Sequence, residues 1–235
     1  MRNTGRIAST ARAVYCLRTK PFLRGIILLA ALLPRLVNAA SEEELFFKGV
    51  ADVNEGDLRF LSAAPPTPVH HHQNLITVSK ESLLSGWVKL EQCHRHLDPV
   101  PDLQIVYRQD RIRDIAIVRS ENIGRSRVEQ NSVQMEQIGR NALICIEAET
   151  QALTADGEHR YSLSNGPYMR RFLDGYYPMR VSLRVRMEAP GLRFLDIHPA
   201  PQPGFAVSQH AHEVAFEAWF EGELRTRIRF TDAPQ

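Results

Sequence analysis

The sequence predicts an all-β protein built from two small antiparallel β-sandwich domains in tandem, each immunoglobulin-like in size. Three observations lead to this prediction. Short β-branched or alternating apolar runs recur roughly every 8–12 residues, polar turns separate them, and no long stretch has the 3.6-residue period of an amphipathic helix. Such spacing is typical of antiparallel sandwiches and not of parallel α/β sheets.

The N-terminal residues 1–39 predict a secretory signal peptide. Residues 1–40 hold seven basic residues and no acidic one, and most of the basic residues precede an apolar run at 25–33. This order is typical of an export signal, and the run is shorter than the roughly 20 residues that cross a bilayer. Cleavage is expected after Ala39 or one residue later. An organellar transit peptide and an uncleaved anchor stay open as alternatives.

Loss of the signal changes the charge of the protein. Removing seven of the 29 basic residues leaves 22 against 27 acidic residues, so the formal net charge moves from +2 to −5. Nucleic-acid-binding domains usually carry a basic surface. We therefore expect a periplasmic or secreted protein that has no nucleic-acid partner and meets the membrane only transiently, through its signal.

The first predicted domain covers residues 67–155. It follows an N-terminal segment at 40–66, which ends in a Pro-rich connector at 63–68. Its predicted strands lie at 75–78, 87–90, 103–107, 115–118, 133–135 and 142–146. The polar, turn-forming residues 156–158 mark the expected boundary with the next domain.

The second predicted domain covers residues 156–235. Its predicted strands lie at 161–163, 179–187, 192–197, 205–207, 214–220 and 224–230. In the clearest of them Val181, Leu183 and Val185 share one face, and arginines occupy the other. This alternation predicts one buried and one solvated face. One large sandwich is the alternative to two domains.

Two cysteines remain after the signal, Cys93 and Cys145. An even pair in an exported chain predicts a disulfide. Each cysteine shares the parity of charged neighbours on its strand, so we expect a cross-strand or edge link on the polar side, outside the core. On the loop-entropy account it stabilises the fold by roughly 3–4 kcal/mol.

The stretch 165–180 is the predicted ligand-binding surface, because it crowds Tyr and Arg side chains between two turn signals. These residue types are enriched at recognition sites. The candidate residues are Tyr168, Arg170, Arg171, Tyr176 and Tyr177, continued by Arg180 and Arg184 on the next strand. The predicted function is a non-catalytic binding or accessory module of the envelope that recognises a protein partner or an anionic glycan. The competing interpretation is a structural plug in which Phe172 and Leu173 are buried.

Histidine clusters predict an alternative function, a periplasmic metal-binding protein. His94 with His96 and His210 with His212 have the His-x-His spacing that places two rings on one strand face about 7 Å apart. Two such strands would supply four nitrogens for Zn or Cu. His212 also shares parity with apolar residues of its strand, which predicts a position at the edge of the buried face.

A third hypothesis is a hydrolase whose site forms only in three dimensions. The sequence has no nucleophile-elbow, phosphate-loop or dinucleotide motif. We therefore expect neither a catalytic residue that sequence alone identifies nor a cofactor.

Overall fold

Strands make up most of the described chain, which confirms the all-β prediction. The computed structural model describes residues 11–14 and 54–232. Within those ranges the one α-helix is α1 (Lys80–Ser85). Ser79 caps it by accepting a hydrogen bond from the backbone N–H of Ser82, and Gly86 ends it at φ 77°.

The predicted strands are all observed, and the structure adds five that were not predicted. The observed strands are, in chain order, β1 (Ala11–Val14), β2 (Arg59–Phe60), β3 (His71–Val78), β4 (Trp87–Leu97), β5 (Asp102–Tyr107), β6 (Ile112–Glu129), β7 (Ser132–Gln151), β8 (Leu153–Gly157), β9 (Arg160–Tyr168), β10 (Arg170–Phe172), β11 (Gly175–Tyr177), β12 (Met179–Met187), β13 (Arg193–His198), β14 (Ala206–His210), β15 (Glu213–Glu221) and β16 (Leu224–Thr231). Every predicted strand overlaps one of these, whereas β1, β2, β8, β10 and β11 were not predicted. The predicted strands 133–135 and 142–146 prove to be parts of the single long strand β7.

The strands form one long sheet, one smaller sheet and a hairpin. The long sheet has ten strands in the order β1-β5-β7-β4-β3-β12-β15-β14, with β6 paired to β7 and β2 paired to β15. The smaller sheet has the order β13-β16-β9-β8, and β10 pairs with β11 alone. The hairpin lies in the chain between β9 of the smaller sheet and β12 of the long sheet.

The long sheet takes strands from both sides of the predicted boundary at residues 155 and 156. Strand β3 pairs in parallel with β12, from His71 opposite Arg180 to Val78 opposite Met187. This pairing does not confirm two tandem immunoglobulin-like units. It fits the alternative of one large sandwich, because strands from the two segments share a hydrogen-bonded ladder.

Two hydrophobic clusters fill the interior. The larger one joins inner-face residues of β3, β4, β12 and β15 to residues of the smaller sheet, such as Leu163 and Ile228. The second cluster contains residues of β5 and β7, among them Ile105, Met135 and Ile146. The predicted alternation along β12 is confirmed, because its apolar residues are buried while Arg184 and Arg186 are exposed.

The disulfide prediction is confirmed in the structure. Cys93 on β4 lies directly opposite Cys145 on β7, with the two Cα atoms 4.1 Å apart. Both strands lie inside the long sheet, so the link is a cross-strand link and not one at an edge. Neither cysteine belongs to a hydrophobic cluster.

Most of the predicted signal peptide lies outside the described residues. Of residues 1–39 only β1 is described, and it pairs with β5. No helix within the described ranges is long and apolar enough to cross a membrane.

Candidate functional site

The three consecutive histidines that lead into β3 are divided between the two faces of the long sheet. Side chains alternate along a strand, so His70 and His72 lie on the inner face and His71 on the outer face. His72 lies opposite His94 of β4 on the inner face. The result is two separate groups of polar side chains, one inside the sandwich and one above the sheet.

The inner group is a stack of three imidazole rings. The ring centroids of His72 and His94 are 4.3 Å apart, and those of His70 and His94 are 5.2 Å apart. Tyr168 packs edge-on against His72 at 5.0 Å. All three histidines are buried.

Hydrogen bonds fix the tautomer of each buried ring. Asn74 Oδ1 and Gln92 Oε1 can only accept, so the Nε2–H of His72 donates to Asn74 over 3.1 Å and the Nε2–H of His94 donates to Gln92 over 3.2 Å. His94 Nδ1 is then an acceptor and takes a hydrogen bond from His70 Nε2 at 3.0 Å. Every ring is therefore neutral with its proton on Nε2.

Burial keeps these rings uncharged. Removal from water, reinforced by the neighbouring His72, lowers the pKa of His70 to about 3. Burial also holds the pKa values of His72 and His94 well below the usual histidine value. A neutral, hydrogen-bonded stack of this kind stabilises one arrangement of strands and offers no proton donor or acceptor to solvent.

The predicted metal ligands do not come together. His94 is buried on the inner face, whereas His210 and His212 lie exposed at β14. Strand β14 is four positions from β4 in the sheet, about 19 Å at the usual strand spacing. His96 has only a long contact with Asn141. Within residues 11–14 and 54–232 no group of three or more His, Cys, Asp or Glu side chains is arranged to hold a metal ion.

The outer group joins His71 to the charged residues of neighbouring strands. His71 Nε2 lies 2.7 Å from Ser182 Oγ, and Ser182 Oγ donates to Glu217 at 3.0 Å. Arg180 donates to the same carboxylate at 2.8 Å and covers the ring of Trp219 at 4.8 Å. Burial lowers the pKa of His71 to about 4, with the Arg180 charge adding to the effect.

This outer group lacks the order of a catalytic triad. The Ser182 proton is donated to Glu217, so His71 must donate to Ser182 and cannot act as its base. Burial alone would raise the pKa of Glu217, but hydrogen bonds from Arg180 and Ser182 hold it below its usual value. A carboxylate of lowered pKa is a poor base. The geometry gives no support to a serine hydrolase at this position.

A groove of about 660 Å³ lies on the outer face of the long sheet beside this group. Five strands contribute to it: β4, β3, β12, β15 and β14. Its floor includes Leu75, Ala206 and Ala215, and Arg184 and Glu217 contribute charge. The Cys93 side of the disulfide also lines it. Small, apolar and oppositely charged side chains therefore share one open concave surface.

The predicted ligand-binding residues separate into three locations. Tyr168 and Tyr176 are buried, at 5% and 9% exposure, so they do not form an exposed platform. Arg170, Arg171 and Tyr177 belong to the β10–β11 hairpin, as does the buried Tyr176. Arg180 and Arg184 lie on the outer face of β12, and of the seven residues Arg184 alone lines the groove.

The hairpin itself differs from the structural plug that the sequence also allowed. Leu173 was expected inside, but it stands at the turn between β10 and β11 and is fully exposed at 107%. Phe172 is half-buried. Arg170 is held by Asp98 at 2.6 Å, whereas Arg171 is exposed and lies over the Tyr176 ring at 5.3 Å.

A second expectation is wrong at His212. Its parity predicted a position at the edge of the buried face. It is exposed because it falls in the two-residue turn between β14 and β15, where strand alternation no longer applies.

Sequence reasoning also missed the inner network. Asn74 and Gln92 connect its parts, since Gln92 Nε2 donates to Asn74 Oδ1 at 3.1 Å. A signal was present: Asn74 shares the parity of Ile76 and Val78, and Gln92 that of Leu90. A polar residue in an apolar register indicates a buried hydrogen-bond network.

No protein-family model matches the chain, and no curated relative matches it.

Proposed function

We propose that this chain is an exported, non-catalytic binding or accessory protein of the envelope, and that a protein partner docks in the outer-face groove. The groove is the observation that supports the proposal. Its volume of about 660 Å³ falls in the range of roughly 300–1,000 Å³ usual for ligand sites. The histidine stack, in contrast, is buried, and its rings bond to one another and to Asn74 and Gln92.

A protein partner fits the charges better than an anionic glycan. The outward arginines are already neutralised: Arg180 contacts Glu217 at 2.8 Å, and Arg184 contacts Glu213 at 3.2 Å. A polyanion would have to displace these carboxylates, whereas a protein surface can offer both signs of charge along with apolar side chains.

The hairpin extends the proposed surface. The hairpin directly precedes β12 in the chain, and β12 carries Arg184 of the groove. Arg171, Leu173 and Tyr177 therefore lie next to the N-terminal end of that strand. The hairpin presents an exposed leucine together with Arg and Tyr, the latter two being residue types enriched at interface hot spots. We assign the hairpin a supporting role in docking.

The disulfide supports export. Disulfides persist in oxidising compartments such as the periplasm and the extracellular space. The link between Cys93 and Cys145, together with the basic and then apolar N-terminal sequence, favours a periplasmic or secreted location.

Site-specific photo-crosslinking in envelope preparations tests the proposal. A photoreactive residue at Ser208, in the groove, should give one discrete adduct of defined mass. The same residue at Arg225, exposed on the smaller sheet, should not give that adduct. Filling the groove with Ala215→Arg should remove the Ser208 adduct.

A second variant separates groove from hairpin. Arg171→Ala combined with Leu173→Ser should weaken the Ser208 adduct without removing it. Equal adducts at Ser208 and Arg225, or a Ser208 adduct that persists in Ala215→Arg, would overturn docking in the groove. An adduct that contains carbohydrate and no protein would instead favour the glycan.

A further inference from the structure

We propose that a single buried water molecule occupies a small cavity beside the histidine stack and extends the hydrogen-bond network around Asn74 and Gln92. The cavity measures about 20 Å³ and is lined by residues of both sheets, among them Gln92, Asn165 and Tyr168. About 10–15 Å³ is needed to hold one water. The cavity is therefore large enough for one water. The proposal stands apart from the binding function and does not depend on it.

Two hydrogen-bond donors lack acceptors at this cavity. Asn165 is 7% exposed, and its Nδ2 has no partner in the described part of the chain. Tyr168 Oη accepts a hydrogen bond from Asn74 Nδ2 at 2.8 Å, so its own hydrogen remains to be donated. Tyr168 is also buried. An unpartnered buried donor is costly, so an acceptor is required between these two groups.

Two acceptors on the cavity wall retain unused lone pairs. Thr150 Oγ1 donates its hydrogen to the backbone carbonyl of Arg111 at 3.0 Å, and its oxygen can still accept. Tyr107 Oη donates to Gln92 Oε1 at 2.6 Å and can also accept. Both side chains line the cavity.

This set of partners selects water among the possible occupants. Water accepts two hydrogen bonds and donates two, which matches Asn165 and Tyr168 as donors and Thr150 and Tyr107 as acceptors. A metal cation would face two donor hydrogens, and an anion would face two hydroxyl oxygens whose hydrogens are already used. An apolar occupant would leave all four groups unpaired.

The water would join the two hydrophobic clusters. Tyr107 belongs to the cluster of β5 and β7, whereas Tyr168 belongs to the cluster between the sheets. Direct hydrogen bonds already link them through Gln92 and Asn74. The water supplies a second, shorter connection between the same two tyrosines.

A crystal structure of the full chain tests the proposal directly. We expect one density peak roughly 2.7–3.2 Å from both Asn165 Nδ2 and Tyr168 Oη. Soaks in rubidium and in bromide salts should give no anomalous signal there. An empty cavity, an anomalous peak, or an Asn165 amide bonded to a protein acceptor would overturn the proposal.

A double-mutant cycle supplies an independent measurement. If one water bridges the pair, Tyr168→Phe should cost less stability in the Asn165→Ala background than in the unaltered protein, because the bridge is already lost. Tyr168→Phe combined with Ser82→Ala, a buried change in α1, should be additive. Additivity of both pairs would overturn the bridge.

Discussion

Histidines on the two faces of β3 lie in different environments. On the inner face His72 lies in a neutral, buried stack and donates a hydrogen bond to Asn74, whereas one residue earlier His71 contacts a serine beside an arginine–carboxylate pair. The inner histidines connect buried parts of the fold, and the outer one lies beside the groove. A run of histidines therefore has no single function, because strand alternation places neighbouring rings in different environments.

Acid should produce the largest difference between the faces. An unfolded histidine has a pKa near 6.5, while the folded pKa of His70 is about 3 and those of His72 and His94 are also lowered. The unfolded chain therefore binds more protons below about pH 6.5, and stability falls as pH falls toward the folded values. Each such ring contributes a slope of about 1.4 kcal/mol per pH unit.

Urea unfolding at several pH values between 7 and 4.5 measures this slope. His72→Gln should reduce it, because it removes one of the buried rings with a lowered pKa. A flat stability profile through this range would mean that the stack is open to protons in the native state.

Loss of the disulfide should have the next largest effect on stability. This link lies at the groove on the outer face, so the outer face also contains a stabilising element. Replacing Cys93 and Cys145 together with serine removes a link across 52 residues, which should cost roughly 3–4 kcal/mol because the unfolded chain gains entropy. Urea unfolding measures the loss. Addition of reductant to the unaltered protein should lower its stability similarly, whereas the double variant should not respond.

Adjacent residues of β3 allow a matched test of the two faces. Asn74→Ala removes the three buried hydrogen bonds that join this side chain to His72 Nε2, Gln92 Nε2 and Tyr168 Oη, and should cost about 2–4 kcal/mol. Gln73→Ala on the outer face removes one contact, from Arg95, and should cost below about 1 kcal/mol. Equal losses measured by thermal unfolding would show that the faces do not differ.

The smallest effect is expected at the ion pair beside the groove. Arg184→Ala should change stability by about 0.5 kcal/mol or less, because its contact with Glu213 is largely solvated. Under the proposed function it should still weaken the Ser208 photo-adduct. Arg229→Ala, which breaks the equivalent pair with Asp196 on the smaller sheet, should leave that adduct intact.

The sequence could predict where strands lie but not which strands pair. Alternation is a local pattern, so the strand at 179–187 and the outward position of Arg184 were predictable. The parallel pairing of β3 with β12 depends on contacts between distant segments, which local periodicity does not encode. The proposed tandem division followed from chain order alone.

The candidate site was predictable only in part for the same reason. Arg184 lines the groove as its outward parity suggested, but most of the groove comes from small or neutral residues such as Ala206 and Ala215, which carry no chemical signal. Tyr168 was expected on the surface because its residue type is common at interfaces. Its burial depends on Asn74, a hydrogen-bond partner 94 residues away.

The parallel pairing of β3 with β12 also sets the order in which the protein can fold. Strand β3 must wait for a partner that begins at Met179, more than one hundred residues later in the chain. Such long-range contacts are slow to form, because the loop must close before the pairing stabilises it. During synthesis the β3 edge that later pairs with β12 therefore remains open until most of the chain has emerged. A chain stalled before β12 would present that edge to other chains and be prone to aggregation.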